Sequence, residues 1–167
     1  MLETQASAQD SLGILHTTSA VRRQRRFYEC LTILKPETPE NKFAFKAGWK
    51  AHERIQKDFP NARAEKPEFH DDPTLDFTIC YHADLYDPEK QIVYEIKSEK
   101  WFKENEYYCR CQLSGYCFFK QARGIFLIYN ADGYAGLRRE LVPWEVLREI
   151  AIKSDRLLLE KELEAPS

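Results

Sequence analysis

The chain has 167 residues, 43% of them hydrophobic, 31% charged and 13% aromatic, with a formal net charge of −2. That length suits one hydrophobic core, and no apolar run approaches the ~20 residues that a membrane helix needs, which excludes a bilayer-spanning protein. The balanced charge excludes a globally basic nucleic-acid binder, and the opening Met1-Leu2-Glu3-Thr4-Gln5 lacks the basic and apolar segments of a secretory signal, so a cytoplasmic location with reduced cysteines is expected.

Residues 1–18 are small and polar without periodicity and read as a flexible lead-in to a single domain over 19–167. A helix is expected from Ser19, a candidate N-cap, through Cys30. It carries Arg22, Arg23, Arg25 and Arg26, a cationic cluster that suits phosphate contact or a solvated helix face equally well. The Pro36-to-Pro39 stretch then breaks the chain. Between Phe43 and Phe59 the residues Ala44, Ala47, Gly48, Ala51 and Ile55 recur at helical spacing, predicting an amphipathic helix that ends before Pro60. Arg63 to Phe69 has a weak strand pattern. Leu75 to Asp84 and Gln91 to Ser98 have strong ones, rich in β-branched and aromatic residues, and Asp87-Pro88-Glu89-Lys90 between them reads as a hairpin turn. A second amphipathic helix over Asn105 to Ala122 precedes an apolar strand, Gly124 to Tyr129. Asn130 to Gly133 turns the chain into a strand over Tyr134 to Val142, and Pro143 starts a final helix that runs to Leu163. This order implies an α/β sandwich, a mixed central sheet flanked by helices.

The hairpin concentrates charge. If the turn occupies residues 87–90 symmetrically, Tyr86 pairs with Gln91 and Asp84 with Val93. Side chains alternate along a strand, so Asp84, Val93, Glu95 and Lys97 share one face, and Ala83, Leu85, Ile92, Tyr94 and Ile96 the other. Asp84 and Glu95 are then diagonal neighbours with Cβ atoms roughly 7–8 Å apart, close enough to grip one hard cation beside Lys97. Such a group serves phosphodiester hydrolysis, in which a metal polarises the phosphoryl group and a lysine offsets developing charge. From geometry alone, exposed charges on an ordinary hairpin are an equal alternative. A register slip of one residue would separate the two carboxylates.

An Asp, a Glu eleven residues later and a Lys two beyond it, Asp84 with Glu95-Ile96-Lys97, resemble the pattern of the PD-(D/E)XK nuclease superfamily. Two further stretches fall in the order of its RecB-like members. Gly48-Trp49-Lys50-Ala51-His52 resembles their Gly-x-x-x-His motif, and Gln112-Leu113-Ser114-Gly115-Tyr116 their Gln-x-x-x-Tyr motif. The resemblance covers roughly residues 20–142 and is closest to the CRISPR-associated exonuclease family and its viral relatives.

The resemblance implies a restriction-endonuclease-like core and a DNA nuclease, an exonuclease acting on ends or single strands. A structure-specific endonuclease, or a non-catalytic DNA-binding subunit with a vestigial site, are its alternatives. It implies His52, Asp84, Glu95 and the Ile96 carbonyl as ligands of Mg²⁺ or Mn²⁺, Lys97 as catalytic cation, and Gln112 and Tyr116 as supporting residues. Implied partners are DNA, further copies of the chain, or a recombination or CRISPR-type complex. Many such relatives hold an iron–sulfur cluster through one early and three late cysteines. No cysteine follows Cys117, and Cys109 and Cys111 project about 200° apart on a helix, so no cluster is expected. Tyr81 departs from the family pattern, which has glycine there, and His82 shares the face of Asp84. Trp49, Trp101, Phe102, Tyr107 and Tyr108 are core residues or stacking surfaces for bases.

Overall fold

The computed structural model describes residues 22–34 and 42–165. The lead-in, the N-cap at Ser19 and the proline break at 36–39 lie outside them. In chain order the elements are β1 (Arg23–Arg26), a 3₁₀ helix (Glu29–Leu34), α1 (Lys42–Gln56), β2 (Glu68–His70), β3 (Phe77–Tyr81), β4 (Leu85–Asp87), β5 (Ile92–Ser98), α2 (Glu99–Glu104), α3 (Glu106–Lys120), β6 (Arg123–Asn130), β7 (Gly133–Leu137) and α4 (Trp144–Glu164). No helix among the described residues is long and apolar enough to cross a membrane.

The strands form two mixed sheets, of order β1-β3-β2 and β4-β5-β6-β7. Strand β1 runs parallel to β3, and β5 parallel to β6, while the other pairs are antiparallel. The expected mixed sheet flanked by helices is thus present, divided in two. The chain passes from the first sheet to the second at residues 82–84, between β3 and β4. One core fills the space between the first sheet, one face of the second, the 3₁₀ helix, α3 and α4, with Phe77, Ile79, Val93, Leu113, Phe126 and Leu147 almost fully buried. A smaller core of Ile55, Leu85, Ile92, Tyr94, Ile96 and Leu127 lies between α1 and the other face of the second sheet. Each such side chain contributes about 1.5–3 kcal/mol by leaving water.

Several expected elements are corrected. The helix over Ser19–Cys30 is not formed at Arg23–Arg26, which is a strand. Arg25 and Phe27 point inward and Gln24 and Arg26 outward, a period of two that the arginine-rich composition masks. The expected strand over Leu75–Asp84 is regular only from Phe77 to Tyr81, because the chain changes sheets after it. The expected helix over Asn105–Ala122 starts at Glu106 and ends at Lys120, where Gln121 turns left-handed (φ 53) and its N–H bonds back to the Cys117 and Phe118 carbonyls. A separate six-residue helix, α2, precedes it, capped by the Ser98 hydroxyl accepting from the Trp101 N–H at 3.2 Å. The strand expected to reach Val142 ends at Leu137. Pro143 is the N-cap of α4.

The hairpin register also differs from expectation. Leu85 pairs with Tyr94, Tyr86 with Val93 and Asp87 with Ile92, two residues away from the symmetric register. The cause is the turn: the Asp87 carboxylate accepts the Glu89 and Lys90 N–H groups, both at 3.0 Å, and Gln91 adopts φ 55, so the four-residue loop is 88–91, one position later than 87–90. A slip of two keeps the side chains of the paired residues 85–87 and 92–94 on their expected faces.

Gly115 on α3 sits where a Cβ would meet the Phe27 ring. Gly115→Ala is expected to cost about 1–3 kcal/mol by forcing α3 away from Phe27, measured as a lower urea midpoint.

Candidate active site

Asp84 stands in the crossing between the sheets, one residue before β4, and Glu95 lies opposite it on β5. Side chains continue the ladder there. The Asp84 N–H donates to Glu95 Oε1 at 3.1 Å, and the Ile96 N–H donates to Asp84 Oδ2 at 2.8 Å. Each carboxylate is thereby oriented by the other strand's main chain, and the pair is direct where a diagonal was expected.

The face carrying Glu95 and Lys97 is not exposed. It turns towards α3, and Glu95 is only 2% exposed. Ala83, expected on the opposite face with Leu85, also belongs to this core, because residues 82–84 are not in a strand. Lys97 Nζ lies 3.4 Å from Glu95 Oε2. Burial, and then the Asp84 charge, push the Glu95 carboxyl well above the ordinary carboxylate range. For Lys97, burial acts downward, but Glu95 and Asp84 outweigh it and the ammonium is held above its usual value. Two carboxylates share the Lys97 ammonium, and burial beside Asp84 favours Glu95 taking up a proton or a cation.

His52 reaches the pair from α1, its Nδ1 3.9 Å from Asp84 Oδ1. Gly48, one turn earlier, would place a Cβ 3.5 Å from the Tyr129 hydroxyl. Gln112 and Tyr116 approach from α3, with Gln112 Nε2 donating to Tyr116 Oη at 3.4 Å. Gln112 Oε1 is buried with no partner among the described residues. His52, Asp84, Glu95, Lys97, Gln112 and Tyr116 line one cleft of about 580 Å³ together with Arg26, Tyr28 and His82. Among the described residues no three His, Cys, Asp or Glu side chains surround one point. The donors nevertheless suit a hard cation, being two aligned carboxylates, a nearby imidazole and an unpartnered amide oxygen.

The structure separates the arginine cluster. Arg26 is exposed and lines the cleft. Arg22 donates to the Asp72 and Leu75 carbonyls, and Arg23 and Arg25 bond Asp155 at 2.7 and 2.8 Å. Tyr81 is core, donating to Glu68 and packing on Phe119 at 4.7 Å. Phe102 is core as well, whereas Trp49 is 71% exposed beside His52. Two tyrosines neighbour the site, Tyr108, expected only as a core or stacking residue, and Tyr129, to which the sequence assigns no role. Tyr108 is half-buried, its hydroxyl raised above the usual phenol value mainly by burial, and it lies one turn before Gln112, a spacing that could have signalled it. Tyr129 is placed by the parallel pairing of β6 with β5, which nothing local in the sequence encodes.

All five cysteines are free. Burial pushes the thiols of Cys30 and Cys117 up to about 12 and that of Cys109 to about 11, and raises Cys111. Cys80 alone is partly exposed, on the cleft wall. An aromatic disulfide reagent is expected to titrate Cys80 in the native protein and the other four only after denaturation. Rapid reaction of a second thiol would contradict the packing described.

No family model and no curated protein sequence matches the chain. Among solved structures, the protein SSO0001 superposes with a TM-score of 0.64 at 18% identity, over 81% of this chain and 76% of that one. The two share a fold. A phage-related exonuclease from Haemophilus somnus 129PT matches with a TM-score of 0.47 at 15% identity, over 86% of this chain and 82% of that one.

Proposed function

We propose that the chain is a metal-dependent deoxyribonuclease that hydrolyses phosphodiesters at DNA ends or in single strands. The observation that carries this reading is the convergence of Asp84, Glu95 and Lys97 in one cleft, with both carboxylates aligned by main-chain N–H groups. Asp84 and Glu95, with His52 and the Ile96 carbonyl as further donors, would hold Mg²⁺ or Mn²⁺. When bound, that ion supplies Lewis-acid polarisation of the phosphoryl group and an activated water.

The chain's own groups do the rest. Lys97 is held as an ammonium by Glu95 and Asp84, so it keeps its proton and can stabilise the charge that grows on the phosphoryl oxygens. Burial under α3 removes competing water and strengthens that interaction. Gln112, fixed by Tyr116, presents its amide to the same space and positions the substrate backbone.

Purified protein is expected to degrade linear single-stranded DNA with Mg²⁺ or Mn²⁺ and to be silent in EDTA. An exonuclease leaves circular single-stranded DNA intact, whereas cleavage of circles would identify an endonuclease. Equal activity in wild type and Glu95→Ala would assign cleavage to a contaminant and end the enzyme reading.

A further inference from the structure

Across α1 from Trp49 lies a second recess, of about 640 Å³, walled by α1, the end of β5 with the start of α2, and the end of β6. Lys50 and Arg54 enter it from α1, one helical turn apart, and Lys100 from α2. All three are exposed, and no carboxylate among the described residues pairs with any of them. Glu99, also in the wall, is already engaged by Lys103 at 3.2 Å and Asn130 at 3.2 Å.

Elsewhere Arg23 and Arg25 are held by Asp155 at 2.7 and 2.8 Å and Lys120 by Glu65 and Glu68, both at 2.8 Å, whereas Arg26 on the cleft wall is exposed. In a chain of net charge −2, gathering three unpaired cations in one recess costs repulsion that a polyanion would relieve. The recess and the candidate cleft share no lining residue, and the link between them runs by Tyr129 of the recess wall. Parallel pairing sets Tyr129 beside Ser98, the residue after Lys97, and its hydroxyl lies by Gly48, one turn from His52.

We propose that this recess carries the sugar-phosphate backbone of single-stranded nucleic acid into the cleft, with Lys50, Arg54 and Lys100 each neutralising a phosphate. The inference rests on the nuclease reading. A single strand is specified because Glu95 is 2% exposed, so the scissile phosphate must descend into the cleft, which the paired interior of a duplex does not permit. A cationic track with tolerance for sequence is the usual means of holding such a strand.

The test is equilibrium binding of a fluorescent oligo(dT) in EDTA across a KCl series, which needs no cleavage. Each phosphate contact on a single strand contributes about 0.7 to the slope of log Kd against log salt. Lys100→Gln should lower the slope by about 0.7, and the Lys50→Gln/Arg54→Gln/Lys100→Gln triple variant by about 2. Lys50→Arg/Arg54→Lys/Lys100→Arg should keep it, as should Lys153→Gln on the exposed side of α4. An unchanged slope in the triple variant, or no oligonucleotide binding by wild type at low salt, overturns the proposal. Cleavage by wild type with an unchanged slope would sink the track and leave the nuclease standing. A salt-dependent slope that the triple variant loses, without cleavage under any metal, would do the reverse.

Discussion

On the proposed reading, Glu95→Gln is expected to lower cleavage by on the order of 10³-fold or more, since it would remove a carboxylate that holds the metal and with it several kcal/mol of transition-state stabilisation. The same change should leave the metal-free fold as stable as wild type or more so. Glu95 is buried beside Asp84, and glutamine keeps an oxygen to accept the Asp84 N–H. The sign follows from linkage. A carboxyl whose pKa is raised on folding binds a proton that the unfolded chain releases, so its stabilisation is complete below the unfolded value and is lost as pH rises through the folded one. In EDTA the advantage of Glu95→Gln should therefore grow from acid to alkaline pH in urea titrations.

Mn²⁺ separates the roles within the site. It should raise the melting temperature of wild type and of Lys97→Ala, which retains both carboxylates, but hardly that of Glu95→Gln, because a ligand stabilises only the state that binds it. Lys97→Ala should nonetheless be inactive. Equal metal-induced shifts in wild type and Glu95→Gln would remove Glu95 from the metal site.

The legibility of this site in the sequence rested on parity and helical period, both local properties. The register of β4 with β5 was misjudged by two residues, yet Asp84, Glu95 and Lys97 still met, because alternation is indifferent to even shifts. The spacings of Gly48 to His52 and of Gln112 to Tyr116 placed each pair on one helix face, and His52, Gln112 and Tyr116 line the cleft. What stayed hidden depended on distant partners. That the charged face of β5 is roofed by α3, and not open to water, follows from the crossover to β6. That Arg23–Arg26 is a strand follows from parallel pairing with Phe77–Cys80, more than fifty residues on. Four arginines in five positions, read locally, have no apolar period to reveal an inward side.

The destination of Arg25 leads to the second large effect. Its Nε bonds Asp155 Oδ1 at 2.8 Å and its Nη1 bonds Glu162 Oε1 at 2.7 Å, while Arg23 takes Asp155 Oδ2 at 2.7 Å. The side chains of Arg25 and Asp155 are 7% and 8% exposed, so this ion pair ties β1 to α4 out of water. Burial acts to lower the Arg25 pKa, but its bonds to Glu162 and Asp155 overcome that and keep the guanidinium charged. Asp155→Ala would leave that charge the exposed Glu162 as its hydrogen-bond partner, and is expected to cost up to about 3–5 kcal/mol, or roughly 6–20 °C in melting temperature. Glu162 is 55% exposed, and Glu162→Ala should cost less than about 1 kcal/mol. Arg25→Met combined with Asp155→Leu should recover most of the loss, since a buried pair replaced by apolar groups of similar size is often near neutral. The series also tests the phosphate-contact reading of the arginine cluster at Arg25. If Arg25 serves the fold, Arg25→Met with Asp155→Leu binds oligo(dT) with the wild-type salt slope. A slope lowered by about 0.7 at near-native stability would return Arg25 to the DNA.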